Sequence, residues 1–149
     1  MTATTTAIYR YDLTVPAAAI DENGHLNNVE YVRWMQVAAI AHTQHTAGDT
    51  ETTKVRATWV ARSHRIEYLK PAFEGEQLAL FTWISSTRRV RAQRKYIFFR
   101  PADQATIATG ETEWIFADVK TGRPRKIPPA VAAVFEVMPD EDLPPVESL

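Results

Sequence analysis

An aspartate, an asparagine and a histidine alternate along the segment Asp21-Glu22-Asn23-Gly24-His25-Leu26-Asn27-Asn28. In an extended backbone the i, i+2, i+4 spacing of Asp21, Asn23 and His25 turns all three side chains to one face. A turn at Asn23-Gly24 would also keep them close together. Directly downstream the pattern becomes helical, so the segment feeds a helix N-terminus whose first backbone N–H groups have no intrahelical acceptor. A carboxylate, an amide, an imidazole and an open N–H can deprotonate water, orient it and stabilise a developing oxyanion, which is the chemistry of acyl transfer to water. The same residue types also serve an ordinary loop and helix cap, and spacing alone leaves both readings open.

The helix that must position this cluster spans Asn28 to Thr46. Asn27 has the side chain of an N-cap, Glu30 three residues later completes a capping-box pair, and Gly48 stands where a C-terminal stop is expected. Glu30, Arg33 and Gln36 form a narrow polar stripe; the rest of the helix is largely apolar, so burial on most sides is expected. A short strand, Ile8 to Val15, precedes it. After Lys54 come strands at Trp59 to Leu69, Leu78 to Ile84, Arg91 to Arg100 and Ile107 to Phe116, with turns at Glu74-Gly75-Glu76, Ser85-Ser86, Pro101 to Gln104 and Asp118 to Arg123. Pro128-Pro129 can open a short helix through Phe135. Strands in series without intervening helices make an antiparallel meander. The expected fold class is α+β: about five antiparallel strands curled around one long helix. Apolar residues on both sheet faces imply that a second subunit covers the outer one. Residues 1–138 read as a single domain and the Pro-rich acidic stretch 139–149 as a flexible tail.

Composition sets bounds on partners and chemistry. The chain has 149 residues with 45% apolar and 23% charged, ordinary for one globular domain. Seventeen basic against 18 acidic residues give a net charge of -1, so there is no general attraction to nucleic acid or to an anionic membrane, and neither is an expected partner. The absence of cysteine removes disulfides, thiolate metal sites and a cysteine nucleophile. His42 and His45 lack a third ligand of suitable spacing, so no metal or other cofactor is expected. Ser63, Ser85 and Ser86 lie outside any Gly-x-Ser-x-Gly elbow. Met1 to Arg10 carries no secretory pattern and no window is long and apolar enough for a membrane span, so a cytoplasmic location is expected. Arg88, Arg89, Arg91, Arg94 and Lys95 crowd one stretch, either as a solvated hairpin that protects a sheet edge or as a clamp for phosphates.

His25-Leu26-Asn27-Asn28 followed by Tyr31, within Asp21-x-Asn23-x-His25, resembles the signature of the hot-dog-fold acyl thioesterases. The plant acyl-ACP and bacterial long-chain acyl-CoA enzymes are most similar, and the 4-hydroxybenzoyl-CoA thioesterases more distantly so. Tyr68-Leu-Lys-Pro-Ala, Thr121-Gly-Arg-Pro and Ile127-Pro128 extend the resemblance over residues 8–130. It implies a hot-dog fold and hydrolysis of an acyl-CoA or acyl-ACP thioester to acid and thiol by a homodimer or homotetramer. By the same resemblance Asp21 is the nucleophile or general base, Asn23 holds substrate or water, His25 assists proton transfer or orients the carboxylate, and the Asn28 backbone N–H polarises the carbonyl. Gly24, Asn27, Tyr31, Arg89 and Arg91 would contact substrate, with Trp34 and Met35 beside Tyr31 along an acyl channel. The chain departs from relatives in carrying Ala19 where an aspartate is common, and Glu67 is the nearest candidate for a further acid on a later strand. A hot-dog hydratase or dehydratase, or a non-catalytic acyl-thioester binder, are the competing readings.

Overall fold

Period-2 alternation of apolar side chains runs through most of the chain after residue 56 and builds the larger part of the molecule. The computed structural model describes residues 7–149; the Thr/Ala-rich opening, Met1 to Thr6, lies outside the described residues. Strands β1 (Tyr9–Thr14), β2 (Ala57–Tyr68), β3 (Gln77–Arg88), β4 (Arg91–Arg100) and β5 (Ala105–Asp118) form one antiparallel sheet in the order β1-β3-β4-β5-β2. Helix α1 (Asn28–His45) crosses the inner face, α2 (Gly48–Lys54) follows it, and α3 (Pro129–Ala133) comes after the sheet. This is the expected α+β arrangement of five strands around one long helix.

Strand β3 lies between β1 and the central β4, and its two faces feed two separate cores. Leu78 and Leu80 face α1 together with Tyr96 and Phe98 of β4, while Ala79, Phe81 and Trp83 face outward beside Phe99. Helix α1 presents Tyr31, Met35, Ala38 and His42 to the sheet, a spacing of four, three and four residues that keeps one face inward. The described residues leave its other side open: Val29 is 70% and Ile40 56% exposed, so the expected burial on most sides is not met among them.

Three further expectations are corrected. The chain does not turn at Ser85-Ser86. β3 continues to Arg88 because a bulge between Ile84 and Ser86 absorbs the irregularity, with Ser85 Oγ donating to the Gln93 carbonyl at 3.3 Å. The turn falls instead at Arg89, in the left-handed region at φ +52°.

Gly48 does not terminate α1. The reversal is made by Ala47 at φ +64°, and Gly48 opens α2. A Cβ at Gly48 would fall inside the ring of Phe135, which explains the glycine by packing rather than by backbone conformation.

The outer sheet face, expected to need a second subunit, is covered in part by the chain's own end. Met138, Leu143, Val146 and Leu149 pack on Ala79, Phe81, Trp83 and Phe99. The Met138 N–H donates to the Ile84 carbonyl at 2.8 Å, and Lys95 Nζ reaches both Asp140 oxygens at 2.8 Å. The stretch read as a flexible tail is thus docked along the sheet.

Two outcomes are expected. Gly48→Val must displace the Phe135 ring and should cost about 1–3 kcal/mol, read as a lower urea midpoint at unchanged slope. Deleting residues 139–149 uncovers Phe81, Trp83 and Phe99. It should remove about 2–3 kcal/mol at roughly 1 kcal/mol per half-buried apolar side chain lost, and raise self-association in sedimentation. An unchanged midpoint would contradict the docked tail.

Candidate active site

Buried Leu26 anchors the loop before α1, and an isolated antiparallel bridge joins it to Ile20. The Leu26 N–H donates to the Ala72 carbonyl at 2.7 Å and the Asn27 N–H to the Ala19 carbonyl at 2.9 Å. Between these fixed points the Asp21 N–H donates to the His25 carbonyl at 2.9 Å, and the Gly24 N–H returns to the Asp21 carbonyl at 3.1 Å. Gly24 sits at φ +81°, a conformation that favours glycine. Asp21, Asn23 and His25 therefore meet in a tight turn rather than along an extended strand.

The Asp21 carboxylate is held by its own loop. Oδ1 accepts the N–H of Asn23 at 2.8 Å and that of His25 at 3.4 Å, whereas Oδ2 lies 3.5 Å from His25 Nδ1. The Asp21 side chain is 24% exposed and that of His25 37%, so both reach solvent. The Asn23 amide is exposed and makes no side-chain hydrogen bond among the described residues.

Asn27 is the N-cap: its Oδ1 accepts the Val29 N–H at 3.1 Å. The Asn28 N–H, at the first helical position, has no acceptor among the described residues. Glu30 does not close a capping box, because the Asn27 N–H is already committed to Ala19; the Glu30 carboxylate lies 3.4 Å from Arg33 Nε instead. Tyr68, at the end of β2, donates its hydroxyl to the Asn28 carbonyl at 3.2 Å and ties the first helical turn to the sheet. Its place at the end of a strand that meets the helix start is the signal in the sequence for this positioning role.

Other candidates fall elsewhere. Tyr31 is buried between Tyr68 and Phe98, with ring centroids 5.2 and 5.0 Å away. Burial first, and then neighbouring Tyr68, push its phenol up to about 12. Met35 is likewise core, and Trp34 packs half-buried at its edge. Glu67 is exposed, paired with Arg65 at 3.1 Å, and leaves the strand on the face opposite its neighbour Tyr68. Arg89 and Arg91 stand at the far end of β3 from the Asp21 loop. Twelve residues at roughly 3.3 Å each separate the two places within one chain. The basic stretch is not one patch, because strand alternation sends Arg91 toward Glu113 at 3.7 Å and Lys95 toward Asp140, and turns Arg94 inward. His42 is buried and stacked on Tyr9, centroids 5.4 Å apart, and His64 Nδ1 lies 2.8 Å from Thr112 Oγ1. No group of three metal-ligating side chains occurs among the described residues, and no helix is long and apolar enough to cross a membrane.

Comparison with known proteins agrees with the fold. The thioesterase-like superfamily profile matches residues 15–135. No curated protein matches the chain. Among solved structures, a probable thioesterase, YbaW, from Escherichia coli superposes with a TM-score of 0.78 at 14% identity, covering 84% of this chain and 94% of that one. A DHNA-CoA thioesterase from Staphylococcus aureus gives 0.71 at 23% identity with 80% of each chain covered. An acyl-ACP thioesterase from Bacteroides thetaiotaomicron gives 0.78 at 18% identity, over 93% of this chain and 58% of that one. At these identities the superpositions establish the hot-dog fold. A profile match over most of the chain establishes more: the protein belongs to the thioesterase-like superfamily and is an acyl thioester hydrolase.

Proposed function

We propose that the Asp21–His25 loop and the first turn of α1 form the hydrolytic site, and that the substrate is an acyl-CoA or acyl-ACP thioester. The observation that carries this reading is the pairing of a carboxylate locked by its own loop with an N–H at a helix start that has no acceptor. The thioester carbonyl oxygen accepts the Asn28 N–H, where the partial positive charge of the helix N-terminus favours the oxyanion. Asp21 Oδ2, the oxygen not tied down by backbone donors, either takes a proton from water or attacks the carbonyl carbon. Water supplies the oxygen of the acid, the carbon–sulfur bond breaks, and the leaving thiolate receives a proton through His25. The exposed Asn23 amide holds water or substrate, and Gly24 and Asn27 contribute backbone at the rim.

A second copy of the chain completes the site in this reading. Val29 and Ile40 leave an apolar strip on α1, which supports a homodimer through this side. Arg89 and Arg91, remote from Asp21 in their own chain, would approach the partner's loop and meet the phosphates of the carrier. The tail across the outer face favours a dimer over a tetramer built sheet to sheet.

The chain has no thiol, so released coenzyme A can be titrated without background. Asp21→Asn keeps an oxygen that can accept the Asn23 and His25 N–H groups, which preserves the loop while removing the charge. Its kcat should fall by at least about a hundredfold, the scale of a missing acid–base group, with the unfolding midpoint nearly unchanged. Equal rates for the two proteins would remove Asp21 from the chemistry. An absorbance change on an enoyl thioester without thiol release would favour the hydratase.

A further inference from the structure

Arg94 is an interior cation. Alternation along β4 puts Ala92, Arg94, Tyr96 and Phe98 on the inner face, and the Arg94 side chain is only 3% exposed. Among the described residues its side-chain hydrogen bonds both use Nη1, which donates to His42 Nδ1 at 2.9 Å and to Thr82 Oγ1 at 3.1 Å. No carboxylate among the described residues forms an ion pair with it, and burial holds its guanidinium below the usual range, at about 10. Trp114, opposite Ala92 on β5, adds a buried indole N–H that neighbours the Tyr96 hydroxyl but makes no well-aligned hydrogen bond among the described residues.

Arg94 and Trp114 both line a cavity of about 380 Å³ between the C-terminal half of α1, α2 and the sheet. Most of the remaining wall is apolar, including Ala39, Ile84 and Phe135. The one carboxylate in the lining, Asp49, sits exposed on α2 and accepts the Thr50 N–H at 2.8 Å. The cavity borders α1 from Gln36 onward, about 12 Å along the axis from the Asn28 turn at 1.5 Å per residue, so it is distinct from the Asp21 loop within one chain.

A cation and an unpaired donor inside an apolar pocket complement an anion carried on hydrocarbon. We propose that this cavity binds a carboxylate on an apolar body, with the uncommitted Arg94 nitrogens as counter-charge and Trp114 Nε1 as the second donor. Two sources share that chemistry: a free carboxylic acid of the kind hydrolysis releases, and the far end of an acyl group that carries a second carboxylate.

Trp59 and Trp114 both line the cavity, so tryptophan fluorescence on the full chain reports occupancy, with calorimetry as a second readout. Decanoate should bind at least about tenfold more tightly than decanol, the scale of one charge-assisted hydrogen bond. Arg94→Met should bring decanoate to the affinity of decanol while leaving decanol unchanged, and Arg94→Lys should keep part of the preference. Thr43→Trp fills the mouth from a half-buried position on α1 and should weaken both ligands; it keeps the test decisive if Arg94→Met does not fold. Equal binding of acid and alcohol by the wild type, or unchanged binding by Thr43→Trp, would overturn the proposal. For the source, the CoA monothioester of decanedioic acid is compared with decanoyl-CoA. Faster hydrolysis of the former, abolished in Arg94→Met, assigns the site to the substrate's far end. Equal hydrolysis with decanoate still bound assigns it to the free acid. The binding arm needs no turnover, so it stands or falls independently of Asp21.

Discussion

Helix α1 packs tightly on the sheet at Gly110, where the sheet has no side chain. A Cβ there would stand 3.1 Å from both the Met35 sulfur and its terminal methyl, and 3.4 Å from the Arg65 carbonyl. The fully buried Met35 therefore sets the depth of α1, while Tyr31, wedged edge-on against Phe98 and Tyr68, sets its rotation. The Tyr68 hydroxyl then pins the carbonyl of Asn28. Packing in the middle of the helix thus decides where its first open N–H points, and the chemistry at that end inherits its precision from the core.

The loop in front of the helix is preorganised by similar economy. Leu26 is buried as an anchor, and two backbone bonds to Ala72 and Ala19 hold its ends. Asp21 serves both loop and site: Oδ1 satisfies two backbone donors, which leaves Oδ2 beside the imidazole. A carboxylate restrained through one oxygen loses rotational freedom on folding rather than at the moment of reaction. The structural and chemical readings of this segment, open in the sequence, are compatible: in the proposed mechanism the turn is built from the same carboxylate that the chemistry uses.

What could be read from the sequence was what depends on neighbours in the chain. The N-cap at Asn27 and the strand periodicities are local, and both are found close to the expected bounds. Gly48 was misread because its reason, the Phe135 ring, lies far along the chain. Glu30 was misread because the donor it was to satisfy had been taken by Ala19. The separation of Arg89 and Arg91 from Asp21 follows from strand order, which no single segment encodes. Two misses were legible in principle. Arg94 shares its parity with Ala92, Tyr96 and Phe98, so the alternation already marked it as inward. Leu143, Val146 and Leu149 recur every three residues in a stretch whose prolines and acids drew attention to flexibility instead.

Arg94 poses an energetic question that its neighbours answer in part. An unpaired guanidinium in a dry interior costs several kcal/mol, and a well-packed apolar residue of the same volume is often as stable or more so. Two neutral acceptors offset some of this cost, at about 1.5–3 kcal/mol for each bond to a charged group. His42 also lies in the last turn of α1, where the carbonyl end of the helix favours a cation by up to about 2 kcal/mol in a partly buried setting. These contributions offset part of the cost of keeping the charge inside without a paired carboxylate. A carboxylate in the chain would neutralise the cation and leave nothing for a ligand to find. In the two proposals both ends of the helix serve an anion: at its start an open N–H meets developing negative charge, and near its end the carbonyl dipole steadies the cation that faces the cavity.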